Sequence, residues 1–67
     1  DLEAEGARAR KEIEKSLHQA SQMEKQIANE EFRRRKPELA AEIQDKLGAL
    51  RAKIAELEAH LRELEAA

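Results

Sequence analysis

The chain has 67 residues, of which 40% are hydrophobic, 42% are charged and only one is aromatic, with a formal net charge of -2 and a mean hydropathy of -0.88. That length makes one small unit at most and leaves no material for a thick core. Without cysteine, disulfide staples, thiolate metal sites and thiol catalysis are excluded.

Ala, Glu, Leu, Lys and Arg dominate, and with a period near 3.5 residues this composition reads as coiled coil. The first residue is Asp1 rather than Met, and the expectation is a piece of a longer protein. No apolar run approaches the roughly 20 residues of a membrane span and no signal peptide is visible, so a cytoplasmic location without a membrane partner is expected.

The first predicted element is a helix from about residue 3 to about residue 30, on the spacing of Gly6, Ala9, Ile13, Ser16, Ala20, Met23 and Ile27. A turn is predicted at about 31–36, over Arg33, Arg34, Arg35 and Lys36. The second helix is predicted from Pro37 to about residue 65. Pro37 suits a first helical position, where its missing N–H costs nothing, and carrying one helix through it would cost on the order of 3 kcal/mol. Glu38 beside it complements the positive helix start. Phe32 and Leu39 flank the turn and are expected to close the apolar seam there.

In the second helix Ile43, Leu47, Leu50, Ile54, Leu57, Leu61 and Leu64 keep the same alternation of fours and threes. The two stripes mirror each other about residue 35: Ile27 with Ile43, Met23 with Leu47 and Ile13 with Leu57 share one sum of residue numbers. A chain folded back on itself gives that symmetry. The predicted fold is therefore all-α, two long helices in an antiparallel coiled-coil hairpin, each arm roughly 40 Å long.

The seam is unequal, since Gly6, Ala9, Ser16 and Ala20 face large residues. Small against large permits close approach but buries less area than Leu against Leu. Leu17, beside the seam, is expected to compensate partly for Ser16, and Gly6 and Gly48 each cost up to about 1 kcal/mol relative to Ala. A seam this thin leaves room for a second copy, so self-association of the isolated arm is an expectation. The flanks support the register: Arg10 is placed near Glu58 and Glu65, Glu24 near Arg51, and Glu12 near Lys53 and His60.

No catalytic constellation emerges. His18 and His60 fall on different helices and far apart, the carboxylates lie on solvated faces, and neither glycine belongs to a phosphate loop. Two basic features remain. One is the run Arg33, Arg34, Arg35 and Lys36 at the turn. The other is an outward stripe on the first helix, Arg8, Lys11, Lys15, His18, Gln22, Lys25 and Asn29, with no acid among them. Together they suit a phosphate backbone, because each cation held near a phosphate releases a counterion. The bland reading is a solubilising outer face. With Phe32 alone there is no base-stacking platform, so recognition of shape and backbone fits better than sequence readout.

Ile27-Ala28-Asn29-Glu30-Glu31-Phe32 followed by Lys36-Pro37-Glu38 resembles the C-terminal coiled-coil arm of bacterial valyl-tRNA synthetases. That family carries a Leu-Ser/Ala-Asn-Glu-x-Phe segment and a Lys-Ala-Pro-Glu turn into the second helix. Upstream, Glu5, Arg8, Lys11, Glu12, Ile13 and Lys15 are similar to its Glu-x-x-Arg-x-x-Lys-Glu-Ile-x-Lys run, and the interval from Lys11 to Asn29 agrees without a gap. The resemblance spans nearly the whole chain, and Asn-x-x-Phe-x4-Pro is its specific part. Two departures stand out: Arg35-Lys36-Pro37 where the family has Lys-Ala-Pro, and Leu39-Ala40-Ala41 where it has paired Val.

The resemblance implies an appended arm that leans on the outer corner of tRNA, where the D and T loops meet, and aids binding and orientation of valine tRNA. Catalysis, with ATP and Mg, would lie elsewhere in the parent enzyme, and this piece would need no cofactor and hold no metal. Its expected partners are valine tRNA and the rest of that synthetase. Two other readings stand beside it: the RNA-contacting coiled coil of an ABC-F-type translation ATPase, and a structural hairpin that pairs with another protein.

Overall fold

A computed structural model describes all residues 1–67 and contains three helices and no strand, with 94% of residues helical. They are α1 (Leu2–Ala28), α2 (Glu30–Arg35) and α3 (Pro37–Ala66). Asp1 starts α1 by accepting the Glu3 N–H at 3.0 Å, which satisfies one of the donors every helix start leaves over. Pro37 stands at the start of α3, where its ring matches the helical φ. No helix is long and apolar enough to cross a membrane.

At 1.5 Å per residue the 30 residues of α3 make about 45 Å, and the whole molecule measures only 49 × 14 × 12 Å. The two long helices therefore lie side by side. Early residues of α1 meet late residues of α3. A Cβ built on Gly6 would sit 3.9 Å from Leu61 Cδ1; Arg10 pairs with Glu65 at 3.7 Å, Glu12 with Lys53 at 2.9 Å and Glu24 with Arg51 at 2.7 Å.

All fourteen seam positions read from the spacing are buried or half-buried. Leu47, only 1% exposed, packs with Ala20 and Ile54, and Met23, Ile27 and Leu50 close around them. Small residues on α1 and branched ones on α3 thus share one narrow seam. Ser16 is also 1% exposed, and no buried side-chain polar atom lacks a hydrogen-bond partner.

Three expectations need correction. The segment predicted as a turn at 31–36 is mostly helix, α2, and α1 stops at Ala28 rather than near residue 30. Leu17 is 52% exposed and does not back Ser16, because it points about 100° round α1 from it and a rod of two helices has no third layer to cover that direction. Leu39 is 40% exposed, and Ala40 takes its place in the seam; among the two residues expected to close that end, only Phe32 is half-buried. The expected flank neighbours do lie together, Glu12 with His60 along one groove and Arg10 with Glu58 along another, while the ion pairs that form across the seam are Arg10–Glu65, Glu12–Lys53 and Glu24–Arg51.

Candidate nucleic-acid interface

The cationic run Arg33, Arg34, Arg35 and Lys36 occupies the last turn of α2 and the residue joining it to α3. The corner before it is made by Asn29. Its backbone (φ -76°, ψ 110°) leaves the helical region and ends α1, its N–H bonds to the Gln26 carbonyl at 3.3 Å, and its side-chain Oδ1 accepts the Phe32 N–H at 3.2 Å. One residue thus closes α1 and opens α2. The corner after it is Lys36 (φ -131°, ψ 65°), whose N–H bonds to the Phe32 carbonyl at 2.8 Å and whose side chain caps nothing.

Within α2 the charges follow the helix polarity. Glu30 and Glu31 fill the first turn and the three arginines the last, each sign opposing the partial charge of its end. So the arginines also have a structural use. Arg35 and Glu31, four residues apart, form an ion pair at 2.7 Å with both side chains well exposed. Arg33, Arg34 and Lys36 are exposed and in no ion pair. The run of four cations thus presents three free ones, with Glu38 close by on α3.

The stripe on α1 divides. Arg8, Lys11 and Lys15 line a shallow open groove along one flank, together with Glu5, Glu12, Leu57 and His60. None of these three cations is in an ion pair; the Arg8 Nε donates only to the Ala4 carbonyl, at 3.4 Å. Glu12 is held by Lys53, whose hydrogen bond and charge, aided by Lys15, keep its carboxyl below the ordinary carboxylate range despite some desolvation. Glu12 is therefore turned toward Lys53, and Arg8, Lys11 and Lys15 remain beside Glu5 as the unpaired charges of the groove. Lys25 stands apart, in the last turn of α1, where its charge suits the helix end. His18 meets Gln22 at 3.3 Å on the exposed surface.

Lys15 lies 13 residues before the end of α1, about 20 Å along the axis. The groove and the α2 cations are two separate patches, each open to solvent. No three metal-ligating side chains come together anywhere. The arrangement presents unpaired cations at two separate places on a rod of two helices.

Two features of the patch around α2 were missed by reading charge alone. Glu31 ties down Arg35, and Asn29 is a cap rather than the last polar residue of the stripe. Both had a signal in the sequence: a Glu four residues before an Arg, and an Asn followed directly by two acids, the pattern of a helix start. Comparison with protein-family models, curated proteins and solved structures finds no match.

Proposed function

We propose that the chain is an antiparallel coiled-coil hairpin that binds folded RNA with α2 at its tip, as the tRNA-binding arm of a bacterial valyl-tRNA synthetase. The observation that carries the reading is the set of three exposed, unpaired cations, Arg33, Arg34 and Lys36, on a short helix between two long ones. A 49 Å rod with free cations at its end reaches a phosphate surface away from its base and gains affinity by counterion release. The valine-specific part of the reading is supported by the resemblance around Asn29, Phe32 and Pro37 and by the run from Glu5 to Lys15.

In this role the arm performs no chemistry. It adds contacts to tRNA and limits its orientations while the parent enzyme, with its own ATP and Mg, works in the cytoplasm. Arg33, Arg34 and Lys36 carry the first contact, Arg35 joins when Glu31 yields it, and Arg8, Lys11, Lys15 and Lys25 supply a second along the flank.

The test is the affinity of the chain for valine tRNA across a salt series, with Arg33, Arg34, Arg35 and Lys36 replaced by Ala. Each lost phosphate contact should reduce the slope of log affinity against log salt by about 0.9. An unchanged slope removes the tip from the account. Tighter binding to a ribosomal RNA fragment than to valine tRNA would move the chain to the ABC-F-type reading, and no salt-dependent RNA binding would leave the structural hairpin.

A further inference from the structure

The charges of α2 suit its two ends and Glu31 pairs with Arg35, but exposed interactions of this kind are too weak to hold a six-residue helix by themselves. Isolated helices shorter than about 12–15 residues are marginal in water. The α2 segment buries no residue fully, and Phe32 is its only half-buried side chain. Its C-terminal end is fixed by the Lys36 N–H to Phe32 carbonyl bond and by the pyrrolidine of Pro37. At its N-terminal end one side chain does the work, the Asn29 carboxamide on the Phe32 N–H, while the Asn29 carbonyl takes the Arg33 N–H at 3.1 Å. The half-buried residue and the first free arginine therefore hang on the same corner.

Resting on the RNA-binding reading of the tip, we infer that Asn29 is a positioning residue: its cap orders α2 and so fixes the directions of Arg33, Arg34 and Lys36 before RNA arrives. With the cap gone, α2 frays and only a fraction of molecules presents the cations together. Apparent affinity falls by that fraction, while the number of phosphates finally contacted stays the same. A residue touching RNA directly would behave differently, because its loss cannot be made good by another capping side chain.

The experiment uses the whole chain and an unmodified valine tRNA transcript. Asn29→Ala should weaken binding about three- to tenfold with an unchanged salt slope, and the Phe32 amide should lose its protection from hydrogen exchange. Asn29→Ser, a comparable cap with no carboxamide, should restore both. Circular dichroism of α1 and α3 serves as the folding control. If Asn29→Ala has lost those helices, Asn29→Gly takes its place: it removes the carboxamide at little cost to a helix start, so near-wild-type affinity and Phe32 protection are expected, and weakness as great as that of Arg33→Ala/Arg34→Ala would overturn the inference in favour of direct contact.

Wild-type affinity in Asn29→Ala, beside weakened binding by Arg33→Ala/Arg34→Ala, would overturn the inference and leave the tip reading intact. Equal weakness in the Ala and Ser variants would also overturn it, in favour of direct contact. No effect from Arg33→Ala/Arg34→Ala would overturn the tip reading, and this inference with it.

Discussion

Replacing the two glycines by alanine separates the helix from the seam. In both positions the backbone has no positive φ, so alanine is free of strain there. At Gly48 a Cβ meets nothing within 4 Å, and the residue is exposed. The gain is then helix propensity alone, about 1 kcal/mol. At Gly6, which is buried, the new Cβ lands 3.9 Å from Leu61 Cδ1, an ordinary van der Waals contact that displaces nothing. Propensity adds about 1 kcal/mol there too, and burying part of one methyl adds up to about 0.8 kcal/mol.

For a domain of this size each kcal/mol raises Tm by about 4–8 °C. Thermal melts followed by circular dichroism should therefore rank the chains wild type, Gly48→Ala, Gly6→Ala in rising stability. The two sites share no partner, so the double variant should be additive within about 0.5 kcal/mol. A Gly6→Ala chain less stable than wild type, beside a stabilised Gly48→Ala, would refute the reasoning: the helices would then approach more closely at Gly6 than the contact with Leu61 allows.

Leu47→Ala should remove most of the cooperative melt. It truncates the least exposed apolar side chain, 1% accessible, for about 2–5 kcal/mol in a chain whose size supplies little more than that; a transition close to wild type would contradict the seam described. For Glu12 the lowered carboxyl value in the folded chain means that its contribution to stability is full above the unfolded-state value of about 4.3 and is lost as pH falls through the lower folded one. Denaturant unfolding at mildly and strongly acidic pH should thus show a smaller acid loss for Glu12→Gln than for wild type, and equal losses would refute the link to Lys53. Glu31→Gln should release Arg35 and tighten RNA binding, with a steeper salt slope, since the exposed pair that holds it is worth only about 0.3–0.5 kcal/mol. Unchanged affinity and slope would show that Arg35 does not face the RNA.

The long helices and their register were legible because each seam residue reports the same period. Fourteen positions that alternate by fours and threes leave one face to bury, and the pairs Arg10–Glu65, Glu12–Lys53 and Glu24–Arg51 fix the offset. Ala40 was legible as well: the alternation run back one step from Ile43 lands on it, whereas the larger Leu39 drew the eye. What periodicity could not reach was the segment between the stripes. Six residues are too few to show a period, and the basic run disguised α2 as a turn, although Asn29 and the polarity of its charges mark a helix. Leu17 misled for another reason. Its apolar character promised burial, but a two-helix rod has only one buried face, and Leu17 lies outside it.

Charge alone also overstated the site. Read along the chain, the tip holds four consecutive cations; folded, Glu31 takes one of them and the acids of the first α2 turn and Glu38 stand nearby. The stripe shrank in the same way to Arg8, Lys11 and Lys15 around one groove, with Lys25 at a helix end. Binding by this chain should accordingly be modest and salt-sensitive, led by a few well-placed cations rather than by a broad positive field.

The most direct test of RNA binding through the tip is chemical-shift mapping of the labelled chain as valine tRNA is added. Backbone and side-chain signals of Arg33, Arg34 and Lys36 should respond first and those of Arg8, Lys11 and Lys15 next, while the separate groove lined by Leu17, Glu58, Leu61 and Arg62 stays unchanged. Changes centred on Leu17 and Arg62, or none at α2 with tRNA in excess, would contradict binding through the tip.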